Sequence, residues 1–434
     1  MTILIIAVVV VAAAGTGGYY AYNTYFNIPP PEKVTLTMWT HYTGNASDPI
    51  KNYIAEYQTL HPEITISYEA IDYEQLVTKI PAEFLAGNLP DIIHYGGTGD
   101  LAERGVISEA PSDIAQDIRD NFIELGVQGV TSNGTIWGYP DEAGNALFIY
   151  NEEMFQEAGI TNPPTTWDEM TEDFRKLAKL DNSGQPIQLA MSIPIESDEN
   201  TAMFNMLMMA DGGDPISGTP PRVHWDSQAG IGAAKLIRSW IDNGYANPTW
   251  MTWQEGIRKE KIACAIVASW FGHWEIEVQD PAVFAKFRAV PIPYNPNQVN
   301  HSVSIGYNMA CYVTSQSKHP RQAWDFLKWL NSDTIPDKTY TRMADQIAIG
   351  VGMPCCHKTS DHPLYHTTWL EPFVTALRTS GAARAMPQIK GGTEVQEILH
   401  RSLQRIWVEN ADVETTLEQA AQEANNILQE NYPG

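Results

Sequence analysis

The sequence predicts an α/β protein of two lobes, preceded by an apolar N-terminal helix. The first observation is length, because 434 residues exceed what a single hydrophobic core usually supports. The second is the alternation of strand and helix patterns from Val34 onward, which indicates βαβ units and a mainly parallel sheet flanked by helices. The third is an almost wholly apolar run, Ile3 to Ala14, ahead of the alternating region.

The N-terminal segment 1–26 is predicted to anchor the chain in a membrane. A helix from about residue 2 to 26 is roughly 37 Å long at 1.5 Å per residue, enough to cross a bilayer core of about 30 Å. No basic residue precedes Lys33, so the basic start of a cleaved secretory signal is missing. Removal as a signal, and packing with copies of itself into a surface filament, are the alternatives. Residues 27–33 are predicted to form a stiff Pro-rich spacer.

Composition excludes one class of partner. The chain has 27 Lys plus Arg against 52 Asp plus Glu, a formal net charge of -25, and no basic run interrupts that acidity. Binding of nucleic acid is therefore not expected. The 13 Trp and 19 Tyr are more distinctive, since several stand at predicted strand ends beside glycine. Flat aromatic rings there suit the C–H faces of sugar rings.

The first half of the chain predicts where a ligand binds. The strand runs VTLTMWT, ITISYEAI and DIIHY alternate with amphipathic helices over Ile50 to Leu60 and Tyr73 to Leu85. In such sheets ligands bind at the carboxyl ends of the strands. The loops after these three strands therefore supply candidate ligand-binding residues: Trp39, His41, Tyr42, Asp72, Tyr95, Gly96 and Gly97.

The segment Gly134 to Met170 is the most informative stretch. It contains a patch of small residues around Gly144, an apolar strand ending at Tyr150, a predicted helix N-cap at Asn151 and a helix stop at Gly159. In this order it resembles the interdomain crossover of family 1 extracellular solute-binding proteins. These are the maltose-binding-protein-like receptors that deliver sugars to ABC importers.

Five further segments resemble the same family, in family order. They are the first strand and its loop, a Pro-Asp strand, a Gly-x-Trp segment, a late strand with its helix, and a closing helix pair. In this sequence they lie at Leu36 to Gly44, Gly87 to Ile107, Ser269 to Glu277, Gly306 to Asp333 and Thr393 to Leu428. Together with the crossover they cover most of residues 33–430, and the chain is identified as a member of this family.

The resemblance implies a periplasmic-binding-protein-like fold that closes on its ligand. The expected lobes are 33–140 plus 288–332 and 141–287 plus 333–434, with hinges at Tyr139 to Gly144 and near Ala289 to Pro293. It also implies a carbohydrate ligand, an oligosaccharide, and delivery to ABC permease subunits from the extracellular face of the membrane. Since no cysteine precedes Cys264, a lipid-modified N-terminal cysteine is excluded. The resemblance implies that a protein tether of this kind fits an archaeal or a single-membrane host.

The resemblance and the residue types together extend the candidate site. The crossover offers carboxylates and an amide that hydrogen-bond sugar hydroxyls, and the second lobe offers a group of tryptophans. The added residues are Asp141, Glu142, Asn145, Trp253, Trp270, Trp274 and Tyr307. A solvated hinge for the crossover residues and core stacking for the tryptophans are the alternatives. A non-sugar solute such as a peptide or polyamine is the alternative ligand class.

Neither catalysis nor a cofactor is expected. No nucleophile elbow, zinc-protease or phosphate-loop motif is present. Asp141 and Glu142 are adjacent, and neighbours on an extended strand point to opposite faces, so they suit a glycosidase pair poorly. Five soft-metal ligands lie between Cys355 and His366, but their spacing fits no standard zinc site. The four cysteines allow three disulfide pairings, and free thiols are equally compatible.

Overall fold

The computed structural model describes residues 32–195, 197–277, 280–379, 381–387 and 389–433. The predicted N-terminal helix over 1–26 lies outside these residues, as does most of the predicted spacer. Within the described ranges, no helix combines the length and the apolar character needed to span a membrane.

The strands are β1 (Val34–Thr40), β2 (Ile64–Ala70), β3 (Ile92–Tyr95), β4 (Thr131–Ser132), β5 (Thr135–Ile136), β6 (Gly138–Asn151), β7 (Lys179–Leu180), β8 (Pro186–Met191), β9 (Ile216–Ser217), β10 (Arg222–Val223), β11 (Ile262–Ala268), β12 (Phe287–Val290), β13 (Ser304–Val313) and β14 (Ala383–Ala385).

Helices separate β1, β2 and β3 as the alternating pattern predicts, and further helices lie between many of the later strands. The α-helices are Asp48–Leu60, Tyr73–Ala86, Thr98–Glu103, Ser112–Asn121, Glu124–Gly129, Glu152–Glu157, Trp167–Leu177, Ser197–Ala210, Gln228–Asp242, Trp253–Arg258, Ser269–Phe271, Pro281–Phe284, Pro320–Asn331, Arg342–Gly350, Leu370–Arg378, Gly392–Trp407 and Val413–Asn431. A π-helix over Gly272–Glu277 follows Ser269–Phe271, and short 3₁₀ turns cover Gly44–Ser47 and Pro363–His366.

Local chemistry explains why several helices begin where they do. Asn151 caps Glu152–Glu157, since its side chain accepts a hydrogen bond from the backbone N–H of Met154. Thr166 and Glu169 form a capping box at the start of Trp167–Leu177, each side chain bonding the other residue's backbone. The start at Asn151 agrees with the prediction from sequence.

The main sheet is mixed. Its strand order is β2-β1-β3-β13-β6-β11-β8-β7, with β12 also paired to β6 and β14 to β13. β1 is parallel to β2 and β3, and β11 is parallel to β8, but β13 and β6 run antiparallel to their main neighbours. The expectation of mainly parallel sheets is therefore wrong for the strands that join the two halves.

β6 is the strand shared by both halves of the sheet. Its first part pairs with β13 as far as Asn145, and its second part pairs with β11 from Ala146. Phe148 packs into one core cluster whereas Leu147 and Ile149 pack into another, because alternate residues of a strand face opposite sides. This strand is buried on both faces, which explains the apolar run from Ala146 to Tyr150 in its second part.

Each half of the sheet has its own hydrophobic core. The first core joins β1 and β3 with helices Pro320–Asn331 and Arg342–Gly350. The second core joins β6 and β11 with helices that include Gly392–Trp407 and Val413–Asn431. A third cluster packs helix Leu370–Arg378 against the other face of β6 and β11. The molecule therefore has two α/β lobes; the lobe boundaries given above stay a prediction.

Candidate functional site

The carboxyl ends of β1, β2 and β3 meet at one edge of the first lobe. The three strands are parallel and adjacent, so the residues that follow them come together. His41 and Tyr42 follow β1, Tyr73 follows β2, and Tyr95 ends β3. The edge predicted from sequence to hold the ligand is therefore rich in rings.

These rings form a connected series, here called the aromatic array, that consists of Tyr42, His94, His41, Tyr73 and Tyr95. Ring centroids of neighbours along it are 4.7, 4.8, 5.9 and 5.6 Å apart. Tyr42 is buried, whereas Tyr73 is 39% exposed. The array thus runs from the interior of the first lobe to its surface, and its stacked Tyr73–Tyr95 pair lies at the exposed end.

A β-bulge places two adjacent carboxylates on the same side of the first lobe. Ala143 pairs with Asn308, but Pro140 pairs with Ala310, so Asp141 and Glu142 together oppose one residue of β13. Asp141 contacts His94, and Glu142 approaches His41. The expectation that these carboxylates point to opposite faces is wrong, because the extra residue in β6 breaks the strand's alternation.

The carboxylates and the two histidines form a buried group with Cys311, here called the histidine cluster: His41, His94, Asp141, Glu142 and Cys311. His94 Nε2 lies 3.0 Å from Asp141 Oδ1, and His94 Nδ1 lies 3.0 Å from His41 Nδ1. Asp141 also accepts from the backbone N–H of Glu142 at 2.6 Å and from Cys311 Sγ at 3.3 Å. Hydrogen bonds thus hold Asp141 from three directions.

Burial and neighbouring charge govern the electrostatics of this cluster. Burial raises the pKa of the Glu142 carboxyl to about 7, and the nearby Asp141 also raises it. Burial and the adjacent His94 lower the pKa of His41 well below its usual value. Burial opposes the charging of His94, but Asp141 and Glu142 outweigh it and raise the pKa of His94. The two stacked histidines therefore differ in proton affinity.

Asn145 stands where β6 passes from one half of the sheet to the other. It is the last residue of β6 paired with β13, opposite Gly306, and it is 2% exposed. Among the residues that the structure describes, neither its amide oxygen nor its amide nitrogen has a hydrogen-bond partner. Such groups are costly inside a protein, and they are commonly found where a ligand or water binds.

A ring from β13 covers the backbone beside Asn145. Tyr307 pairs with Gly144, and a Cβ added to Gly144 would overlap the Tyr307 ring. Gly144 therefore lets the ring lie directly on β6. The indole of Trp270 hydrogen-bonds Tyr307, and Trp270 packs against both the first core and the third cluster. The crossover thus carries an aromatic wall of its own.

The other predicted tryptophans lie in different surroundings. Trp39 is 9% exposed, and Lys79 Nζ lies 4.1 Å from the centroid of its ring. Trp253 is packed in the third cluster, where its N–H donates to Glu199 at 2.7 Å. Trp274 belongs to the π-helix Gly272–Glu277, but its side chain lies outside the part of the chain that the structure describes.

Three of the predicted ligand-binding residues determine the path of the backbone and contribute no aromatic ring. Asp72 caps helix Tyr73–Ala86 by accepting from the backbone N–H of Glu74. Gly97 has φ of +82° at the start of helix Thr98–Glu103, a conformation that favours glycine. Gly96 lies against β13, since a Cβ there would meet Met309 Sδ at 3.3 Å. These positions orient the chain on which Tyr73 and Tyr95 stand.

Sequence reasoning did not select His94, Tyr73 or Cys311 for the site. His94 lies inside a short strand and looks like a core residue, and Cys311 lies in a strand more than two hundred residues away. His94 could have been chosen as a candidate because it lies one residue before Tyr95, at the carboxyl end of the strand. Tyr73 immediately follows Asp72, so its selection needed only one further step along the same loop.

The Cys- and His-rich stretch does not converge on a metal-binding geometry. Cys356 Sγ lies 3.3 Å from the carbonyl of Glu142, while His362 pairs with Asp345 and His366 with Asp361. All four cysteines are free thiols. Within the described ranges, the groups of three potential metal ligands are instead His41–His94–Glu142 and His94–Asp141–Cys311.

A separate cavity of about 410 Å³ lies beside the π-helix of the second lobe. It is lined by residues that include His273, Glu277, Phe284, Arg288 and Trp369. None of the residues that line it belongs to the histidine cluster or the aromatic array. The cavity and the strand-end site are therefore distinct features.

Comparison with known proteins agrees with this architecture. A protein of Brucella abortus described as a binding protein is 23% identical over 406 residues, which cover 91% of this chain and 93% of that protein. The diacetylchitobiose-binding protein DasA of Streptomyces coelicolor is 23% identical over 69% of both chains. A solved structure of the ABC substrate-binding protein Lmo0181 of Listeria monocytogenes, in complex with cycloalternan, aligns with a TM-score of 0.76 at 16% identity, covering 92% of this chain and 99% of that one.

The structural likeness shows the two-lobed periplasmic-binding-protein-like fold. The family profile described as bacterial extracellular solute-binding protein matches residues 52–358, which is more than half of the chain. That family is defined by solute binding and not by catalysis, as the sequence predicts. This chain therefore belongs to the family of bacterial extracellular solute-binding proteins.

Proposed function

We propose that this protein is the receptor of an ABC importer and captures an oligosaccharide between its two lobes. The observation that carries the proposal is the Asn145 amide, which is buried at the junction of the lobes with both polar atoms unpaired among the described residues. An amide offers a donor and an acceptor at once, and a sugar hydroxyl needs both. A neutral polyhydroxylated ligand supplies these partners without adding a buried charge.

Aromatic surfaces on two sides of this junction support a sugar over other neutral solutes. The exposed Tyr73–Tyr95 pair stands at the strand ends of the first lobe, and Tyr307 with Trp270 lines the crossover. Flat rings pack against the C–H faces of sugar rings, while polar groups take the hydroxyls. Several rings at separate positions suit a ligand of more than one sugar unit.

The known ligands of similar proteins point the same way. DasA is named for binding diacetylchitobiose, and the solved Listeria protein holds cycloalternan. Both ligands are oligosaccharides. The alternative ligand class, a polyamine or a cationic peptide, would require free carboxylates at the site. Asp141 is instead engaged by three hydrogen-bond donors, and Glu142 is buried, so neither carboxylate is open to a cation as large as a polyamine or a peptide.

The sugar is tested by a melting-temperature screen of the purified chain against oligosaccharides, monosaccharides, spermidine and a cationic peptide. A ligand at 100 times its Kd adds about 2.7 kcal/mol to the free energy of unfolding. We expect an oligosaccharide to raise the melting temperature, and Tyr95→Ala to weaken its binding. The control is Tyr294→Ala, since the Tyr294 backbone pairs with Thr166 in the second lobe. A shift with spermidine or peptide alone would contradict the proposal.

We further propose that residues 1–26 anchor this receptor on the extracellular face of the membrane and leave it beside its permease. The support is the apolar sequence from Ile3 to Ala14. Detergent-phase partitioning of the full chain should require these residues and be lost in a chain that begins at Glu32. Filaments of the full chain that disappear on the same truncation would favour assembly through this segment instead.

A further inference from the structure

Three side chains from separate strands converge on one point of the first lobe. His41 follows β1, His94 lies in β3, and Glu142 lies in the bulge of β6. One potential ligand atom from each lies within 4.8 Å of the other two. Atoms bound to one Zn²⁺ at about 2.0–2.1 Å in a tetrahedron lie about 3.3 Å apart. The limit of 4.8 Å is about 1.5 Å wider than that, so the side chains must move closer together to bind a single ion.

The two imidazoles already approach this geometry. His41 Nδ1 and His94 Nδ1 are 3.0 Å apart, close to one edge of such a tetrahedron. His94 is fully buried, whereas the side chain of His41 is 19% exposed. His41 therefore lies between the interior ligands and solvent, and its movement gives an ion a way in. The lone pairs of stacked rings run nearly parallel, so binding of one ion by both nitrogens requires one ring to rotate out of the stack.

Asp141 orients His94 as outer residues orient metal-bound histidines. The N–H at His94 Nε2 donates to Asp141 Oδ1 at 3.0 Å, which leaves the lone pair of Nδ1 facing His41. Metal-binding histidines usually donate their other ring N–H to a carboxylate or carbonyl in this way. Asp141 is held in turn by the backbone N–H of Glu142 and by Cys311.

Glu142 supplies a second, independent observation, because one oxygen of its carboxyl group is buried without a partner among the described residues. The residue is 3% exposed, and Tyr42 hydrogen-bonds its carboxyl group, but its Oε1 has no hydrogen-bond partner among the described residues. The nearest approach recorded for this oxygen is His41 Nε2 at 3.6 Å, which is too long for a hydrogen bond. An unpaired buried carboxylate oxygen is costly, and a cation between it and the histidines would satisfy it.

We propose that His41, His94 and Glu142 bind a divalent transition-metal ion of the Zn²⁺ type, with Asp141 as the residue that positions His94. Two imidazoles and one carboxylate suit Zn²⁺ or Co²⁺, whereas Mg²⁺ and Ca²⁺ prefer oxygen ligands alone. Three protein ligands leave a fourth position for water or for an oxygen of a bound solute. The cluster's rings join the aromatic array, so an ion there lies beside the proposed sugar site.

The test is calorimetric titration of the full chain, stripped with EDTA, with Zn²⁺ and with Co²⁺. We expect one ion per chain and, for Co²⁺, visible absorption of a four-coordinate complex. His41→Gln and Glu142→Gln should each weaken binding at least a hundredfold. Asp141→Asn should weaken it about ten- to hundredfold, as loss of an outer carboxylate does. His366→Gln is the matched control, because His366 also pairs with a carboxylate but lies outside the cluster.

Two results would overturn the metal site. One is the absence of one-to-one binding, and the other is unchanged binding in both His41→Gln and Glu142→Gln chains that melt as cooperatively as the parent. The titration contains no sugar, so its result is separate from the oligosaccharide proposal. Metal binding without any response to sugar would contradict only the proposed oligosaccharide binding. A response to sugar without metal binding would contradict only the proposed metal site.

Discussion

Replacing Asn145 by leucine should stabilise the ligand-free protein and weaken its ligand binding. Asn145 is 2% exposed, and neither amide atom has a partner in the described part of the chain. An unsatisfied buried polar group costs about 1–3 kcal/mol, so removing two of them outweighs an imperfect leucine fit of about 1 kcal/mol. We expect the free energy of unfolding to rise by about 1–3 kcal/mol for Asn145→Leu.

The same substitution removes the donor and acceptor proposed for the sugar. A sugar hydroxyl left unpaired in a closed cleft costs about 1–3 kcal/mol, which corresponds to a Kd weaker by about five- to 140-fold. Urea unfolding, followed by tryptophan fluorescence, measures the first effect. Calorimetric titration with the oligosaccharide found in the screen measures the second. A higher free energy of unfolding together with a weaker sugar affinity is the result expected when a residue serves ligand binding and destabilises the ligand-free fold.

Asn151→Leu is the matched control for this experiment. Asn151 lies in the same strand and is fully buried, but its amide is paired on both sides, with the backbone N–H of Met154 and with Glu260. Its loss removes a helix cap and should therefore destabilise the chain by about 1–2 kcal/mol. If Asn145→Leu also destabilises the chain and leaves sugar affinity unchanged, the reasoning about the unpaired amide is wrong.

Three further substitutions test packing and capping. Gly144→Ala should displace the Tyr307 ring, lower stability by about 1–3 kcal/mol and weaken sugar binding, as measured by urea unfolding and calorimetry. Gly272→Ala should lower the urea midpoint by a similar free energy, because its Cβ would overlap the Trp369 indole. Thr166→Ala should cost about 1 kcal/mol through loss of the capping box, with sugar affinity unchanged.

Gly392→Ala is the control for the two glycine substitutions. Its Cβ would meet Ile389 at 3.4 Å, an ordinary contact, so the urea midpoint should stay within about 0.5 kcal/mol of the parent. Equal effects of all three alanines would show that the destabilisation does not come from the rings. A Thr166→Ala chain with the parent's midpoint would mean that the capping box contributes nothing measurable.

Much of the fold could be predicted because its determinants are local. The helix caps at Asn151 and Thr166 and the strand–helix alternation are patterns within a few residues of chain. The position of the ring-rich edge also followed, since parallel strands bring their carboxyl ends together wherever they occur. The identity of Tyr95 as a candidate ligand residue came from the same logic, whereas Tyr307 came from the resemblance and its residue type, and both stay predictions.

The histidine cluster was not predictable in the same way. It depends on a bulge at Asp141 and Glu142, which overturned the expected alternation of their side chains. Bulges arise from the pairing of β6 with β13, and no residue pattern within either strand indicates one here. His94 looked like a core residue until this pairing placed a carboxylate beside it.

By itself the sequence determined the class of the protein: two α/β lobes, their crossover, and the family to which the chain belongs. These features rest on periodicity and motif order, which act along the chain. The tertiary structure alone decided the chemistry of the site, because its contacts join residues far apart in sequence. His41 and His94 are 53 residues apart, His94 and Asp141 are 47 apart, and Cys311 and Asp141 are 170 apart. Such neighbours are set by strand register and packing, for which the chain carries no local pattern.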